Sequence, residues 1–311
     1  MAAEGSRRRP LKVGVQLPEI EWVAPWRELA RMAATAEAVG FDSLWVGDHL
    51  LYRYPDEADK GPWEAWTLMG ALAAITERIE IGPLVACTSF HNPAMIAKKA
   101  ATLEEISGGR LILGLGAGWN EPEYSAFGYP YDHRVSRFEE AFTIIRRLLA
   151  GERVDFHGEF YSVSDCLIVP PGPRPGGPPL MIGSGGDRML EIAIPYIQSW
   201  NAWYAWFDNK PELLAPWMAK VDAACERAGR DPRSVERTCA VYVQLPDGEG
   251  RPTLAKEDSK IVPLSGSAAE LADGLRAFAE AGIDHVQIVL DPITAEGIAH
   301  LGPVLAELDR G

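Results

Sequence analysis

The stretch that decides the fold is RLILGLGAGWNEPE, residues 110–123. It is a short apolar strand that runs directly into a turn with glycine at positions 114, 116 and 118, an aromatic residue and two carboxylates. Because glycine has no Cβ, we expect these positions to let a large, flat ligand approach the backbone. A tight strand-to-helix turn without a ligand is the alternative, since glycine motifs are weak evidence by themselves. The rest of the chain has to decide between the two.

Strand-like and helix-like segments alternate along the whole chain. Apolar patterning predicts strands at residues 12–17, 43–46, 79–86, 111–115, 180–182, 199–203, 238–245 and 285–290. Helices are predicted at residues 25–39, 66–76, 93–106, 134–150, 188–197, 211–228, 268–281 and 294–308. Eight strand–helix units with nearly continuous apolar strands favour a closed (β/α)8 TIM barrel. An open doubly wound sheet is the alternative.

The domain organisation predicted is a disordered tail over residues 1–10 and a single domain over residues 11–311. The tail carries three arginines with no apolar run behind them, which is unlike a secretory signal. No break in composition marks a second domain. Residues 151–179, rich in proline, glycine and aromatics, and the long loops after the second, fourth and seventh strands predict insertions at the C-terminal barrel face, where active sites of this fold lie.

Composition limits the partners and the compartment. The net charge of −14 argues against nucleic acid or an anionic membrane as the main partner, and no apolar run approaches the about 20 residues of a membrane helix. The four cysteines lie far apart, without C-x-x-C spacing or neighbouring histidines, which predicts reduced thiols in the cytoplasm and no metal site. Metalloprotease, hydrolase and P-loop motifs are missing from the sequence. We therefore expect a cytoplasmic protein that acts on a small molecule.

Polar side chains stand at the ends of the second and third predicted strands. A histidine such as His49 at the C-terminal end of a barrel strand is placed to donate or accept a proton, since its charge changes near neutral pH. The adjacent Asp48 would orient it or cap the next segment. A surface loop histidine is the alternative. After the third strand, Thr88 and Ser89 are suited to hydrogen-bond a ligand.

Aromatic side chains stand near other strand ends. The turn reads G-x-G-x-G-W, so Trp119 stands where a dinucleotide-binding fingerprint has a variable residue followed by glycine or alanine. No acidic residue lies at a following strand end with the required spacing, and both observations argue against a Rossmann site. Trp119 and Tyr124 predict the wall of an apolar substrate pocket, with ordinary packing as the alternative. Among the ten tryptophans, Trp22, Trp45, Trp203 and Trp206 also fall at or near strand ends and suit a flat aromatic ligand.

The loop after the fifth strand, residues 183–186, reads Gly-Ser-Gly-Gly and opens a helix. Free backbone N–H groups and a hydroxyl make it a candidate phosphate cradle. A plain flexible turn is the alternative, because the usual phosphate site of this barrel follows strands seven and eight.

In this order, these strand ends resemble the luciferase-like monooxygenase family. The matching motifs are GVQLP at 14–18, GFDSLWVGDH at 40–49, TERI at 76–79 with IG at 81–82, NPA at 92–94 with AK at 97–98, SGGRL at 107–111, GAGWNE at 116–121, PLMIG at 179–183 and AEAGIDHV at 279–286. The likeness covers most of the chain and is strongest to the branch that uses the deazaflavin coenzyme F420.

The resemblance implies a TIM barrel that binds F420, or alternatively FMN, at its C-terminal mouth. It implies a non-proline cis peptide, here Leu84–Val85, that supports the cofactor ring. The cofactor-binding residues implied are Asp48, Leu84, Val85, Thr88, Gly116, Ala117 and Gly118, with the phosphate tail on Gly183, Ser184, Gly185 and Gly186. His49 matches the histidine that F420-dependent members use near the reacting carbon. Sugar-phosphate dehydrogenases of that branch carry a glutamate where this chain has Trp119, which favours an apolar, aromatic or enone-bearing substrate.

We therefore expect an F420-dependent oxidoreductase that moves a hydride between the coenzyme and a small apolar substrate, with His49 handling the coupled proton. The first alternative is an FMN-dependent two-component monooxygenase that uses oxygen and takes reduced flavin from a separate reductase. The second is a non-catalytic flavin-binding barrel. A phosphate-ester isomerase on the same fold has less support, because it needs a carboxylate base and a lysine at strand ends. A separate F420 or flavin reductase and a homodimer are expected by analogy with relatives.

Overall fold

The computed structural model describes residues 9–54, 58–252 and 260–310. Its strands are β1 (Lys12–Gln16), β2 (Ser43–Val46), β3 (Glu80–Pro83), β4 (Ala86–Cys87), β5 (Leu113–Gly116), β6 (Val154–His157), β7 (Ser162–Cys166), β8 (Leu180–Ile182), β9 (Ser199–Ala202), β10 (Glu236–Gln244) and β11 (His285–Asp291). Its α-helices are α1 (Trp26–Val39), α2 (Ala65–Ile75), α3 (Pro93–Ser107), α4 (Glu121–Phe127), α5 (Arg134–Leu149), α6 (Asp187–Ala193), α7 (Ala215–Arg227), α8 (Ala268–Glu280), α9 (Ala295–His300) and α10 (Gly302–Asp309).

Parallel strands form a nearly closed, barrel-shaped sheet. Within the described ranges its nine strands follow the order β3-β2-β1-β11-β10-β9-β8-β5-β4. The two ends of this order meet, because Ile81 in β3 bridges in parallel to Leu111 just before β5 and β4 pairs with β5. Helices connect successive strands, as parallel pairing requires. The predicted TIM barrel is thus confirmed and the open sheet is wrong.

The third barrel strand is interrupted, where one continuous strand over residues 79–86 was predicted. β3 ends at Pro83 and β4 begins at Ala86, and the peptide bond between Leu84 and Val85 is cis. The cis bond implied by the family resemblance is therefore present at the expected position. Apolar patterning does not reveal the interruption, because each of these side chains is compatible with a buried strand.

The glycines at 114, 116 and 118 allow close packing of the chain on itself, and the approach of a ligand to this turn stays a prediction. The Cβ that each lacks would meet protein atoms: the Pro83 carbonyl oxygen at Gly114, Val85 at Gly116 and the Tyr124 hydroxyl at Gly118. Gly118 also has φ of 74°, which L-residues rarely adopt. The glycines therefore let β5 and its turn pass close to the Leu84–Val85 segment.

Three further differences from the predicted elements are local. Residues 151–179 contain an antiparallel hairpin of β6 and β7, the predicted closing helix is divided into α9 and α10, and α4 was not predicted. Arg9 donates hydrogen bonds to Asp42 at 3.1 Å and to Asp309 at 2.8 Å. The packed part of the chain therefore includes Arg9, and residues 1–8 of the predicted tail lie outside the described residues.

Candidate active site

A cavity of about 750 Å³ opens at the C-terminal ends of the barrel strands. This volume lies within the about 300–1,000 Å³ common for small-molecule and cofactor pockets. The residues predicted from the sequence that line it are Asp48, His49, Leu84, Val85, Gly116, Ala117, Gly118, Trp119, Gly183, Ser184, Gly186 and Trp203. The barrel thus brings strand ends that are distant in sequence to one site.

Two of the predicted pocket aromatics do not line this cavity. Trp22 is 37% exposed, and its indole N–H donates to the Ile293 carbonyl at 2.9 Å. Tyr124 is fully buried beneath the glycine turn, and its hydroxyl donates to the Ala117 carbonyl at 2.8 Å. Tyr124 therefore supports the turn from below, and ordinary packing, the alternative weighed above, accounts for it.

Thr88 and Gly185, both predicted to touch the cofactor, also lie behind the cavity wall. Thr88 is fully buried and donates to the Gly116 carbonyl at 3.2 Å, which ties the two strand ends together. Gly185 lies against the Trp217 ring, so closely that a Cβ there would collide with it. Both residues hold the shape of the wall.

Asp48 is buried and neither caps a helix nor hydrogen-bonds to His49. It accepts the backbone N–H of Cys87 at 2.8 Å, and His91 Nε2 lies 3.5 Å from the same carboxylate oxygen. It thereby fixes the end of β2 to β4. Burial raises the pKa of the Cys87 thiol to about 12, so this cavity-lining thiol stays protonated and is a poor nucleophile.

His49 lies between two carboxylates. Its Nδ1 is 2.9 Å from Glu123 Oε1, and its Nε2 is 3.7 Å from Glu19 Oε1. The second oxygen of Glu123 accepts the backbone N–H groups of Leu50 at 2.8 Å and Leu51 at 3.3 Å. A carboxylate can only accept, so Nδ1 carries a proton and donates to Glu123. Nε2 is then the atom at which His49 gains or loses a proton.

The electrostatics of this corner favour the protonated ring. Burial disfavours the imidazolium, yet Glu19 and Glu123 outweigh that penalty and raise the pKa of His49 above its usual 6.5. The side chain keeps a 17% exposed fraction and lines the cavity. His49 can therefore hold a proton near neutral pH at a position that a ligand can reach.

Glu19 anchors a buried charged network that was not predicted. One of its oxygens accepts the Tyr52 hydroxyl, and the other accepts the Gln16 amide at 2.8 Å and Arg251 Nη2 at 3.5 Å. Arg251 also donates to Glu21 at 2.7 Å. Burial opposes the guanidinium charge, but chiefly Glu21 keeps the pKa of Arg251 well above its usual value. This cation is thus committed to the two carboxylates.

The signal that singled out His49, a polar residue just after a strand end, was also present for Glu19, which follows β1 as His49 follows β2. Its partners give no such signal, because Arg251 is far along the chain. Of the tryptophans expected near strand ends, Trp45 is fully buried and does not line the cavity, whereas Trp206 does. Tyr52 also lines the cavity and was not singled out from the sequence. The Tyr52 ring lies 4.8 Å from the His49 ring and the Trp119 ring lies edge-on to it at 5.6 Å, between centroids, so the wall beside His49 is aromatic.

The loop of residues 183–186 offers donors on another side of the cavity. The Gly183 N–H donates to the Leu115 carbonyl at 3.4 Å, and the Gly186 N–H donates to the Ser184 hydroxyl oxygen at 3.3 Å. In the described part of the chain the backbone N–H groups of Ser184 and Gly185 have no such partner. Lys220 donates to the Gly185 carbonyl at 2.5 Å and fixes the loop. The loop therefore retains donors that suit an anion.

Two absences concern the described ranges only. No group of His, Cys, Asp and Glu side chains there has an arrangement that would hold a metal ion. None of the helices in those ranges combines the length and apolar character needed to cross a membrane.

Curated relatives of this chain include two kinds of oxidoreductase. An F420-dependent glucose-6-phosphate dehydrogenase of Amycolatopsis mediterranei (strain U-32) is 40% identical over 189 residues, which are 59% of this chain and 54% of the relative. Pyrimidine monooxygenase RutA of Cronobacter sakazakii (strain ATCC BAA-894) is 36% identical over 174 residues, 54% of this chain and 50% of the relative. The chain spans about half the length of the curated relatives it matches.

Solved structures show the same barrel. An F420-dependent secondary alcohol dehydrogenase in complex with an F420–acetone adduct has a TM-score of 0.81 at 23% identity and covers 96% of this chain and 99% of its own. EDTA monooxygenase from Chelativorans sp. BNC1 has a TM-score of 0.78 at 17% identity and covers 98% of this chain and 94% of its own. At these identities the likeness concerns the fold. The model of the family described as luciferase-like monooxygenase matches residues 10–251, and the chain belongs to that family.

Proposed function

We propose that this protein is an oxidoreductase that binds coenzyme F420 and passes a hydride between the coenzyme and a small, uncharged organic substrate. The observation that carries the proposal is His49, whose Nε2 is free to exchange a proton while Nδ1 is fixed by Glu123. Interconverting a carbonyl and an alcohol, or saturating an enone, requires such a proton in addition to the hydride. The F420-dependent relative at 40% identity supports the choice of coenzyme.

The residues present fit a deazaflavin. Leu84 and Val85 give an apolar wall for a flat ring, and the loop of residues 183–186 gives N–H donors for a phosphate-bearing tail. When bound, the coenzyme would supply the hydride chemistry. The chain's own part is to orient the ring, to exclude water with Trp119 and Trp203, and to move a proton at His49 Nε2.

The charge around His49 favours an uncharged substrate. Glu19, Glu21 and Glu123 surround this corner, and Arg251 is paired with the first two. A phosphate or carboxylate at the reacting end would meet these carboxylates at low dielectric, which is repulsive. Trp119 adds apolar surface at the same place. We therefore infer a neutral ketone, alcohol or enone as the substrate class.

The second candidate is an FMN-dependent monooxygenase. The specific observation in its favour is the pyrimidine monooxygenase relative, which is 36% identical over a stretch of similar length. In that case reduced flavin would come from a separate reductase, and the substrate would be oxygenated. A non-catalytic flavin-binding barrel would bind the cofactor and turn over nothing.

The test is titration of the purified protein with F420 and with FMN, in the absence of oxygen, following tryptophan fluorescence. We expect tight binding of F420 and much weaker binding of FMN, followed by substrate-dependent oxidation of reduced F420 with neutral enones or ketones. Tight binding of FMN alone, followed by substrate-dependent oxygen uptake in a separate aerobic assay with reduced FMN, would establish the monooxygenase instead. Failure of both cofactors to bind would refute the proposal.

Assembly and supply of the coenzyme are proposed from the family alone. We propose a cytoplasmic homodimer that receives reduced coenzyme from a separate F420 reductase. Light scattering during size-exclusion chromatography tests the dimer, for which a mass of twice 34.0 kDa is expected.

A further inference from the structure

Asn201 presents a buried amide to the cavity. It lies in β9, is 3% exposed and lines the cavity wall on the side of the barrel interior. Its NH₂ group donates to Thr238 Oγ1 at 2.8 Å and to Gln287 Oε1 at 2.6 Å. The Thr238 hydroxyl directs its own proton to the Met181 sulfur at 3.7 Å, so it accepts from Asn201.

In this arrangement the Asn201 amide directs its NH₂ group to Thr238 in β10 and Gln287 in β11. Both of its N–H bonds are directed to neighbouring strands, and in the described residues its Oδ1 has no hydrogen-bond partner. An acceptor that lines the cavity and has no protein partner is placed to accept from a ligand that carries a donor at that point.

The position of Asn201 connects it to the wall proposed for the ring. Met181 contacts Thr238, which holds Asn201, and packs in one small cluster with Leu84 and Val85. A flat ring lying on Leu84 and Val85 would thus have an edge near Asn201. A carbonyl oxygen there suits an N–H in the plane of such a ring.

We propose that Asn201 Oδ1 accepts a hydrogen bond from the imide N–H of a pyrimidinedione ring. Flavins and deazaflavins share this N–H, which is located between two carbonyl groups, and a pyrimidine substrate has it as well. The inference rests on the proposed function, because it concerns the same cavity. It adds a recognition residue that is distinct from the proton-handling His49.

The test varies the ligand as well as the protein. Binding of the 5-deazaflavin headgroup of F420, and of FMN, is compared with binding of their N3-methyl derivatives by fluorescence titration. The proteins are the parent, Asn201→Leu, which has nearly the same size but no acceptor, and Ser199→Ala, a buried control in the same strand. Thermal melting confirms that each variant is folded.

We expect N3-methylation to weaken binding to the parent and to Ser199→Ala at least tenfold, and to leave binding to Asn201→Leu unchanged within twofold. Equal binding of methylated and unmethylated rings to the parent would contradict a cofactor contact. The contact would also be contradicted if N3-methylation weakened binding to Asn201→Leu as much as to the parent, because a steric clash of the methyl group does not depend on the Asn201 acceptor. Binding of the cofactor without a methyl effect would leave the proposed function standing, whereas no cofactor binding would remove both.

A second arm distinguishes the source of the imide. If the cofactor shows no methyl effect, uracil and N3-methyluracil are titrated into the cofactor-loaded protein. A tenfold preference for uracil that disappears in Asn201→Leu would assign the imide to the substrate and uphold the hydrogen bond. No preference in this arm either would overturn the inference.

Discussion

Two histidines, one partly and one fully buried, lie at opposite ends of the barrel and behave as opposite acid–base groups. His49 follows β2 at the C-terminal mouth, and His285 begins β11 at the N-terminal end. Burial disfavours the charged ring at both. At the C-terminal end, Glu19 and Glu123 outweigh the effect of burial and raise the pKa of His49. At the N-terminal end, burial and, to a smaller extent, Lys12 lower the pKa of His285 to about 3.

The partners of His285 explain the contrast. Its Nε2 is 2.7 Å from the Ser43 hydroxyl, which accepts the Trp45 indole N–H at 2.7 Å and so has its proton available for the imidazole. A hydroxyl donor stabilises the neutral ring, and among the described residues no carboxylate offsets the cost of a charge on it. Burial alone therefore does not identify a functional histidine; the groups that replace water do.

The largest effect expected to distinguish the histidines at the two ends of the barrel is on turnover. Replacing His49 by Asn removes the proton exchanged at Nε2 and should lower turnover by about 10²–10⁴-fold. The affinity for F420, measured by fluorescence titration, should change little. His300→Asn, an exposed histidine in α9, is the matched control and should behave like the parent. Unchanged turnover in His49→Asn would sink the assignment.

The second effect is on stability as a function of pH. The unfolded chain protonates His285 below about pH 6.5 while the folded chain does not, so the free energy of unfolding should fall by up to about 1.4 kcal/mol per pH unit from there downward. For His49 the sign is reversed. Its contribution is fully present below pH 6.5 and is lost as pH rises through its raised folded pKa.

Urea unfolding at a series of pH values checks both signs. The window between pH 6.5 and 5 is the informative one for His285, because carboxylates with lowered pKa values, such as Glu21 and Glu37, lose their contribution only at lower pH. His285→Gln should flatten the slope in that window, and His300→Gln should not. A slope that is the same in all three proteins would contradict the account of His285.

A smaller change should move His49 toward the behaviour of His285. Glu123→Gln keeps the size of the side chain but removes one of the charges that raise the pKa of His49. The limb of the pH–rate profile that reports His49 should shift to lower pH by about 1–2 units, the usual effect of one close opposite charge. The affinity for the cofactor, and the change in the free energy of unfolding between pH 6.5 and 5, should stay as in the parent. A limb that does not move would mean that Glu123 only supports the loop.

The smallest effect tests whether a change near the C-terminal end of the barrel leaves the N-terminal end, around His285, unaffected. A Cβ at Gly114 would lie 2.9 Å from Val85 and collide with the Pro83 carbonyl. Gly114→Ala should lower the free energy of unfolding by about 1–3 kcal/mol through overpacking and should weaken F420 binding. The dependence of the free energy of unfolding on pH between pH 6.5 and 5, which His285 causes, should not change. Gly70→Ala is the control, since no atom lies within 4 Å of the added carbon. Equal melting temperatures for both variants would contradict the close approach.

The barrel itself was largely predictable from apolar periodicity. β2 (Ser43–Val46) and β8 (Leu180–Ile182) have the predicted bounds, because strands buried on both faces are continuous apolar runs. The break between β3 and β4 was not visible in that pattern; the family resemblance alone implied the cis bond. Helix α4 has only seven residues, too few for a period to stand out.

The candidate site was predictable only in part. His49 could be singled out because a strand end fixes its location, but the direction of its pKa shift depends on side chains brought together by folding. Glu123 stood in the motif of residues 110–123 without an assigned role. Glu19 follows a strand end as His49 does but was not singled out, and Arg251 carries no local signal. The glycines of that motif were noticed from the sequence, but their packing role was not predicted, because the neighbours they meet, in residues 83–85 and at Tyr124, are brought there by folding.

The most direct test of the central claim, that the mouth of the barrel holds a proton on His49, is an NMR titration of the histidine ring protons between pH 4 and 9. His49→Asn and His285→Gln assign the two resonances among the six histidines. We predict that His49 titrates above pH 6.5 and that His285 does not titrate above pH 4. A His49 resonance that titrates at or below pH 6.5 would contradict the claim, because the two carboxylates would then not outweigh burial.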